Sequence, residues 1–207
     1  MAKRNTKQLI LECGLELFSV NGFEGVSVRE IAKAVGIRES SLYKHYAGKQ
    51  DILDAILAET QSHYDNTVQS LGIAGEDTQT LTPIYTGMSE EQLAGIGLAL
   101  FTHFVTDDFT VKVRKLLTIE QYNNTHASRL YSGQYLHAPV HFQSALFESF
   151  IAQGSMRQCD PQVAALHFYS PMLLLMQQFD GGGLTMEQAT QIIRNHIHQF
   201  TELYMIK

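Results

Sequence analysis

The sequence predicts an all-α protein in which an N-terminal three-helix domain with a helix-turn-helix is joined by a long helix to a larger helical domain. Apolar residues recur at helical spacing along most of the chain. Helix starts are marked by patterns such as Ser27 with Glu30, a capping box, and by Asp160 followed by Pro161. We place the domain boundary between residues 48 and 49, which gives domains of residues 1–48 and 49–207.

Charge is distributed unevenly along the chain. Residues 1–50 hold eight Lys and Arg against five acids, a net charge of +3, whereas the remainder holds seven bases against 16 acids, a net charge of −9. A basic N-terminal part on an acidic body confines the attraction for phosphate to one end of the molecule. Charged residues make up only 17% of the chain, against about 25% in typical soluble proteins, which suggests that another subunit covers part of the surface.

The N-terminal part opens with residues 1–4, which we expect to form a loose basic arm, either disordered or lying in a DNA minor groove. Asn5 is the predicted N-cap of the first helix, which ends at Asn21-Gly22. Its apolar face includes Cys13, which we interpret as a small core residue. Phe23 and Val26 are expected to complete a small three-helix core.

The next stretch, SVREIAKAVGIRESSLYKHYAGK from Ser27 to Lys49, has the pattern of a helix-turn-helix. A capped helix ends at Gly36, because glycine takes the left-handed turn without steric cost. A second helix begins at about Arg38 and turns Leu42 inward. A helix of this width fits the major groove of DNA. The alternative is a plain helical hairpin with polar faces in water.

The body is predicted to consist of further helices. Gln50 to about Ser70 forms one long helix of roughly 30 Å, and Leu71–Met88 is expected to be a loop because it contains three glycines and Pro83. Ser89 with Gln92 opens a helix that ends near Asp107. Helical patterns follow over 109–124 and 125–136 and from Pro139 to Gly154.

Two apolar helices are predicted to close the chain, one starting at Asp160-Pro161 and one running from Met186 to Tyr204. The first is apolar almost all round, which predicts burial on more than one side, and Pro171 interrupts its hydrogen bonding. Together they expose more apolar surface than one domain can bury. We therefore expect a homodimer that forms a four-helix bundle across a two-fold axis, the alternative being that the helices bury one another within a monomer.

The order of these signals resembles the N-terminal domain of the TetR family of transcriptional regulators. The matching features are Gly36 between the two helices, Leu42-Tyr43 in the second helix, the aromatic Tyr46 and Lys49. The resemblance covers about 55 residues and departs from the family at Arg38, where a serine or threonine cap is usual. It implies a dimeric repressor that binds a palindromic DNA operator and is released by a small-molecule effector.

We predict two groups of DNA-binding residues. Side chains of the second helix would reach base edges, and groups around it would bind phosphates. The predicted base-reading residues are Arg38, Ser40, Ser41 and Lys44, and the predicted phosphate-binding residues are Ser27, Tyr43, His45, Tyr46 and Lys49.

A pocket in the body is predicted from aromatic, soft and polar residues on its helices. The candidate ligand-binding residues are His103, Phe104, Tyr122, Phe147, Tyr169, Met172 and Met176. Such a lining favours an apolar or aromatic effector, although ordinary core packing explains each residue as well. A regulator controlled by a protein partner, or an activator, is the alternative function.

Other function classes find little support. The chain contains no HExxH, GxSxG or GxGxxG motif and no paired cysteines, so we expect neither catalysis nor a cofactor. No metal site is expected either, because Pro139 separates His137 from His141, and His196 and His198 point to different sides of a helix. No signal-peptide pattern and no membrane span are present, which predicts a cytoplasmic protein without membrane contact.

Overall fold

The computed structural model describes residues 5–70 and 78–206, and these form helices joined by short connections. The predicted basic arm at residues 1–4 lies outside the described residues, as does the first part of the predicted loop at 71–88. In chain order the helices are α1 (Thr6–Asn21), α2 (Val28–Val35), α3 (Glu39–Leu42), α4 (Lys49–Ser70), α5 (Thr78–Thr86), α6 (Glu90–Thr106), α7 (Asp108–Glu120), α8 (Thr125–Tyr131), α9 (Ala138–Ala152), α10 (Pro161–Asp180) and α11 (Met186–Tyr204). The all-α prediction is confirmed.

Contacts group the chain into two compact units. The first contains the residues up to Thr67 together with Asp108–Ser132, and the second contains Val68–Asp107 together with the chain from Gly133 onward. The boundary between residues 48 and 49 that the sequence suggested stays a prediction. No helix among the described residues is both long enough and apolar enough to cross a membrane.

The first unit has a core built from all of its helices. Ile10 and Phe18 of α1, Leu42 of α3 and Ile52 of α4 have no solvent exposure. Helix α7 packs along α1 and contributes Leu116, which is also fully buried. The apolar stripes predicted for α1 and α4 therefore meet in one core.

The second unit contains two apolar clusters. One joins α5, α9, the N-terminal part of α10 and the C-terminal part of α11, where Phe147 stacks on Phe200 with ring centroids 5.3 Å apart. The other joins α6, α10 and α11 around Phe101, Met176 and Ile193. Burying these side chains is the main stabilising contribution to such a unit.

The predicted loop at 71–88 is wrong for residues 78–86, which form α5 in spite of Pro83. Tertiary contacts outweigh the lost backbone hydrogen bond. Leu81 is 5% exposed in the first of the two clusters, and the Thr82 hydroxyl donates to the Thr78 carbonyl and lies 2.8 Å from the Ser149 hydroxyl on α9. Helix propensity alone would not have indicated this segment.

The helix predicted over 125–136 is also not continuous. It ends as α8 at Tyr131 and is followed by a π-helical segment, Ser132–His137. The cause lies in Pro139, which is the second residue of α9. Proline has no N–H, so the Tyr135 carbonyl lacks the donor that an α-helix would supply four residues later. The hydroxyl of Tyr169 on α10 donates to that carbonyl at 2.9 Å instead.

Helix α10 starts as predicted, with the Asp160 side chain accepting from the amides of Gln162 and Val163. In the single chain, however, it is buried mainly on one side. Val163, Leu166 and Leu174 are 45%, 45% and 55% exposed and lie on one face, and α11 likewise exposes Ile192 and Leu203.

Replacing Tyr169 by Phe should lower the free energy of unfolding by about 1 to 3 kcal/mol, because the hydrogen bond to the Tyr135 carbonyl is lost. Urea denaturation at one fixed protein concentration measures this value. Tyr122→Phe is the matched control, since Tyr122 is 86% exposed, and it should change the value by less than about 0.5 kcal/mol. Equal effects of the two variants would contradict the role given to the Tyr169 hydroxyl.

Candidate nucleic-acid interface

Helix α2 is held at its start by the predicted capping box. The Ser27 hydroxyl accepts from the Glu30 amide at 3.3 Å, and the Glu30 carboxylate accepts from the Ser27 amide at 2.8 Å. The Ser27 hydroxyl also donates to that carboxylate at 2.7 Å, and these bonds from Ser27 lower the pKa of Glu30. A phosphate contact by the Ser27 hydroxyl stays a prediction and would compete with the capping box.

The turn between α2 and α3 requires a glycine for its backbone conformation. Gly36 has φ +78° and ψ +29°, the left-handed region, while a side chain there would meet nothing within 4 Å. Its amide and that of Ile37 donate to carbonyls of the last turn of α2. Backbone strain, rather than space, therefore disfavours other residues at this position.

Helix α3 is short and is fixed by one anchor. Arg38 is its N-cap and provides no side-chain capping bond, as the departure from a serine or threonine cap suggested. The Arg38 carbonyl accepts from the amides of Ser41 and Leu42, and Leu42 is fully buried. The chain continues from α3 as hydrogen-bonded turns to His45.

Most of the predicted base-reading and phosphate-binding residues lie on one surface, formed by α3, its N-cap and the turns that follow it. Arg38, Ser40, Tyr43, Lys44 and His45 are exposed, and Ser41 is half-buried. Tyr43 exposes 52% of its surface, which is unusual for a large aromatic side chain. Cations, hydroxyls and an aromatic ring on one short segment match the donor set that DNA backbones and base edges accept.

Tyr46 does not belong to this surface, and its prediction as a phosphate-binding residue is wrong. The side chain is 4% exposed, and its hydroxyl donates to the Lys7 carbonyl at 3.4 Å. Burial, and to a lesser extent Asp51 and Glu59, raises the pKa of this phenol. The aromatic residue instead closes the core between α1 and α4.

Lys49 is engaged within the protein. Its ammonium group donates to the Phe23 carbonyl at 2.7 Å and lies 4.1 Å from the centroid of the Phe23 ring. The Glu24 carboxylate is 4.0 Å away, and 22% of the Lys49 side chain is exposed. A phosphate contact by Lys49 stays a prediction, while its observed role is to hold the loop between α1 and α2.

Glu120 is a functional candidate that the sequence did not single out. It is 7% exposed at the end of α7, and its carboxylate accepts from the Phe23 amide at 2.8 Å. The two residues are 97 positions apart, so local patterns could not pair them. The available signal was a carboxylate on the apolar stripe formed by Val113, Leu116 and Leu117.

The residues predicted to bind a ligand do not form one group. Tyr122 is wrong as a pocket residue, because it lies in the turn after α7 and is 86% exposed. Phe147 packs with Phe150 and Phe200 in one apolar cluster. Tyr169 is bonded to the Tyr135 carbonyl.

The other four predicted ligand-binding residues lie on α6 and α10. Phe104, Met172 and Met176 pack together in the second apolar cluster. His103 on α6 has a buried Nε2 atom without a hydrogen-bond partner among the described residues, and the same holds for Oε1 of Gln143 on α9. Buried polar atoms without partners are costly and require an explanation.

One group among the described residues could bring three metal-binding atoms together. Ligand atoms of Glu90, His198 and Glu202 lie within 4.8 Å of one another, and all three residues are exposed. His198 and Thr201 are already hydrogen-bonded to the Glu90 carboxylate. These bonds explain the cluster without an ion, and the expectation of no metal site stays a prediction.

Comparison with known proteins matches the N-terminal region. Residues 10–56 match the family described as "Bacterial regulatory proteins, tetR family". The tetracycline repressor protein class D of Escherichia coli is 35% identical over 81 residues, which are 39% of this chain and 35% of that repressor. The chain thus matches about a third of the length of this curated relative.

Two solved structures share the fold over the whole chain. A protein described as a TetR-family transcriptional regulator from Mesorhizobium loti has a TM-score of 0.66 at 17% identity, with 100% of each chain covered. The ketosteroid transcriptional regulator KstR2 of Mycobacterium tuberculosis has a TM-score of 0.64 at 16% identity, with 99% of this chain and 97% of that chain covered. The N-terminal helix-turn-helix domain thus matches the TetR family of bacterial regulatory proteins, and the whole chain shares the fold of these two regulators.

Proposed function

We propose that the protein is a sequence-specific DNA-binding transcriptional regulator, a dimeric repressor that binds a palindromic operator and is released by a small-molecule effector. The observation that carries the proposal is the exposed segment from Arg38 to His45, held between a capped α2 and the buried Leu42. In this arrangement α3 enters the major groove and α2 lies across the backbone. Action on chromosomal DNA would take place in the cytoplasm.

Within the proposed complex, Arg38, Ser40, Ser41 and Lys44 reach base edges or their rim. Tyr43 and His45 lie beside them, exposed, and bind phosphates. Arg38 and Lys44 carry the charge that a duplex requires, since each neutralised phosphate releases counterions and tightens binding.

Dimerisation is supported by the apolar faces that the single chain leaves exposed on α10 and α11. A two-fold axis through these faces would form the bundle of four helices that the sequence suggested. Two recognition helices related by such an axis bind half-sites in successive major grooves, ~34 Å apart. A palindromic operator follows from this symmetry.

The proposed effector is an apolar or aromatic molecule with a hydrogen-bonding group. Phe104, Met172 and Met176 supply apolar and soft surface, while His103 Nε2 and Gln143 Oε1 are buried polar atoms that a ligand could satisfy. Tetracycline and ketosteroid stand in the names of two of the similar regulators. The effector would act by favouring a conformation in which the two DNA-binding domains no longer fit the duplex.

The first test is selection of bound sequences from random duplex DNA by the purified protein at a stated salt concentration near physiological. Recovery of an inverted repeat is the expected result. Recovery of no consensus would remove the sequence-specific part of the proposal. An asymmetric consensus would remove the palindromic operator.

Replacing Lys44 by Ala should relax the base preference at one position of each half-site, with a loss of about 1 to 3 kcal/mol of discrimination. Repeated selection with the variant measures this change. If Lys44 binds a phosphate instead, the consensus will stay the same and the slope of log affinity against log salt will fall by about 0.9. Arg157→Ala is the charge-matched control, because Arg157 is exposed in the second unit, and it should leave the consensus unchanged.

Replacing Leu174 by Glu should raise the dimer dissociation constant at least about tenfold, because a charge would be buried in the proposed interface. Sedimentation equilibrium of wild type and variant measures it. Ile84→Glu is the control, since Ile84 is an apolar residue of α5 that is likewise exposed, at 49%. A dimer unaffected by Leu174→Glu would contradict the proposed interface.

A further inference from the structure

Glu120 occupies a position that ordinary packing does not explain. It is 7% exposed at the end of a helix whose neighbouring stripe residues, Leu116 and Leu117, have no exposure. A carboxylate in such a place loses hydration and is tolerated only when hydrogen bonds replace it. The bond that the structure provides comes from the Phe23 amide, at 2.8 Å.

Phe23 lies in the loop between α1 and α2 and is held from two directions. Glu120 of α7 binds its N–H, and Lys49 of α4 binds its carbonyl at 2.7 Å and covers its ring. The ring itself packs on Phe18 of α1, with centroids 5.6 Å apart. One residue of the loop is therefore connected to three helices of the first unit.

The loop fits closely against the end of α7. Gly22 adopts φ +68°, and a Cβ atom there would lie 3.1 Å from Ile119 and 3.3 Å from the Glu120 carboxylate. Such distances are tighter than most Cβ contacts, so a side chain at Gly22 would require the end of α7 to shift slightly. Four residues after Phe23 the chain reaches Ser27, the N-cap of α2.

Helix α7 is also attached to α1 about two turns earlier. Lys112 forms ion pairs with Glu16 of α1 and with Asp108 of its own helix. The two attachments follow in the same order along both segments, Glu16 and then Phe23 on one, Lys112 and then Glu120 on the other. The two helices thus run side by side in the same direction, with one polar attachment on the surface and one, at Glu120, in the interior.

We propose that Glu120 is a positioning residue for DNA binding. By holding the Phe23 amide it fixes the loop that carries the start of α2, and so fixes the orientation of α2 and α3 relative to α1 and α7, without touching DNA. Movement at the end of α7 would change that orientation, which makes this bond a point where the affinity for DNA can be set. The inference rests on the proposed DNA-binding function and adds a residue that the helix-turn-helix itself does not contain.

Two substitutions separate the reach of the carboxylate from its charge. Glu120→Asp keeps the charge but shortens the side chain by one methylene, so the bond to Phe23 is lost. Affinity for the duplex recovered by selection with the wild-type protein should fall about tenfold. Glu120→Gln loses the charge but keeps an acceptor at the same reach, and its affinity should stay within about threefold of wild type. Glu148→Gln is the control, since Glu148 is exposed on α9.

Affinities are measured by fluorescence anisotropy at one salt concentration and are referred to the folded, binding-competent fraction found by stoichiometric titration. Hydrogen exchange of the loop is measured in parallel. The Phe23 amide should exchange faster in Glu120→Asp than in wild type and at a similar rate in Glu120→Gln.

Three results would overturn the proposal. One is wild-type affinity of folded Glu120→Asp, which would reduce Glu120 to a stabilising role. Another is unchanged exchange at Phe23 in that variant. The third is tighter binding by Glu120→Gln with no effect of Glu120→Asp, which would indicate repulsion between the carboxylate and DNA. If the wild-type protein itself selects no duplex, the proposed function fails, and the exchange data still decide whether Glu120 holds the loop.

Discussion

The geometry of the DNA-binding surface depends on the burial of Leu42. Helix α3 has only four residues, and isolated helices of that length do not form in water because nucleation is costly. A fully buried leucine contributes about 1.5 to 3 kcal/mol, and Leu42 of α3 has no solvent exposure. Burial of this single large apolar side chain fixes the rotation of α3 about its axis. The polar residues on either side of Leu42 therefore face outward.

Three sets of contacts determine where α2 starts and ends and how it and α3 are oriented. The capping box at Ser27 defines the first turn of α2, and the left-handed backbone at Gly36 ends it. Contacts on Phe23 from Lys49 and Glu120 hold the loop before α2. Each set satisfies backbone groups that would otherwise be left without partners, so local order and orientation are established by the same bonds.

The body of the protein shows how tertiary contacts compensate for unfavourable local sequence. Pro83 removes a backbone donor within α5, and Leu81 and the bond between Thr82 and Ser149 stabilise the helix. Pro139 cannot donate a backbone N–H to the Tyr135 carbonyl, and the Tyr169 hydroxyl of α10 donates to that carbonyl. Tyr169, a predicted ligand-binding residue, thus connects α10 to the π-helical segment of the second unit.

The sequence by itself determined the helical class, most helix boundaries and the helix-turn-helix, because these follow from periodicity and from capping residues a few positions apart. It also identified the exposed cations and hydroxyls from Arg38 to His45. Only the tertiary structure decided that Tyr46 is buried, that Lys49 binds Phe23, that Tyr122 is exposed and that Glu120 reaches the loop. These outcomes depend on contacts between residues distant in the chain, and such contacts leave no periodic pattern in the local sequence.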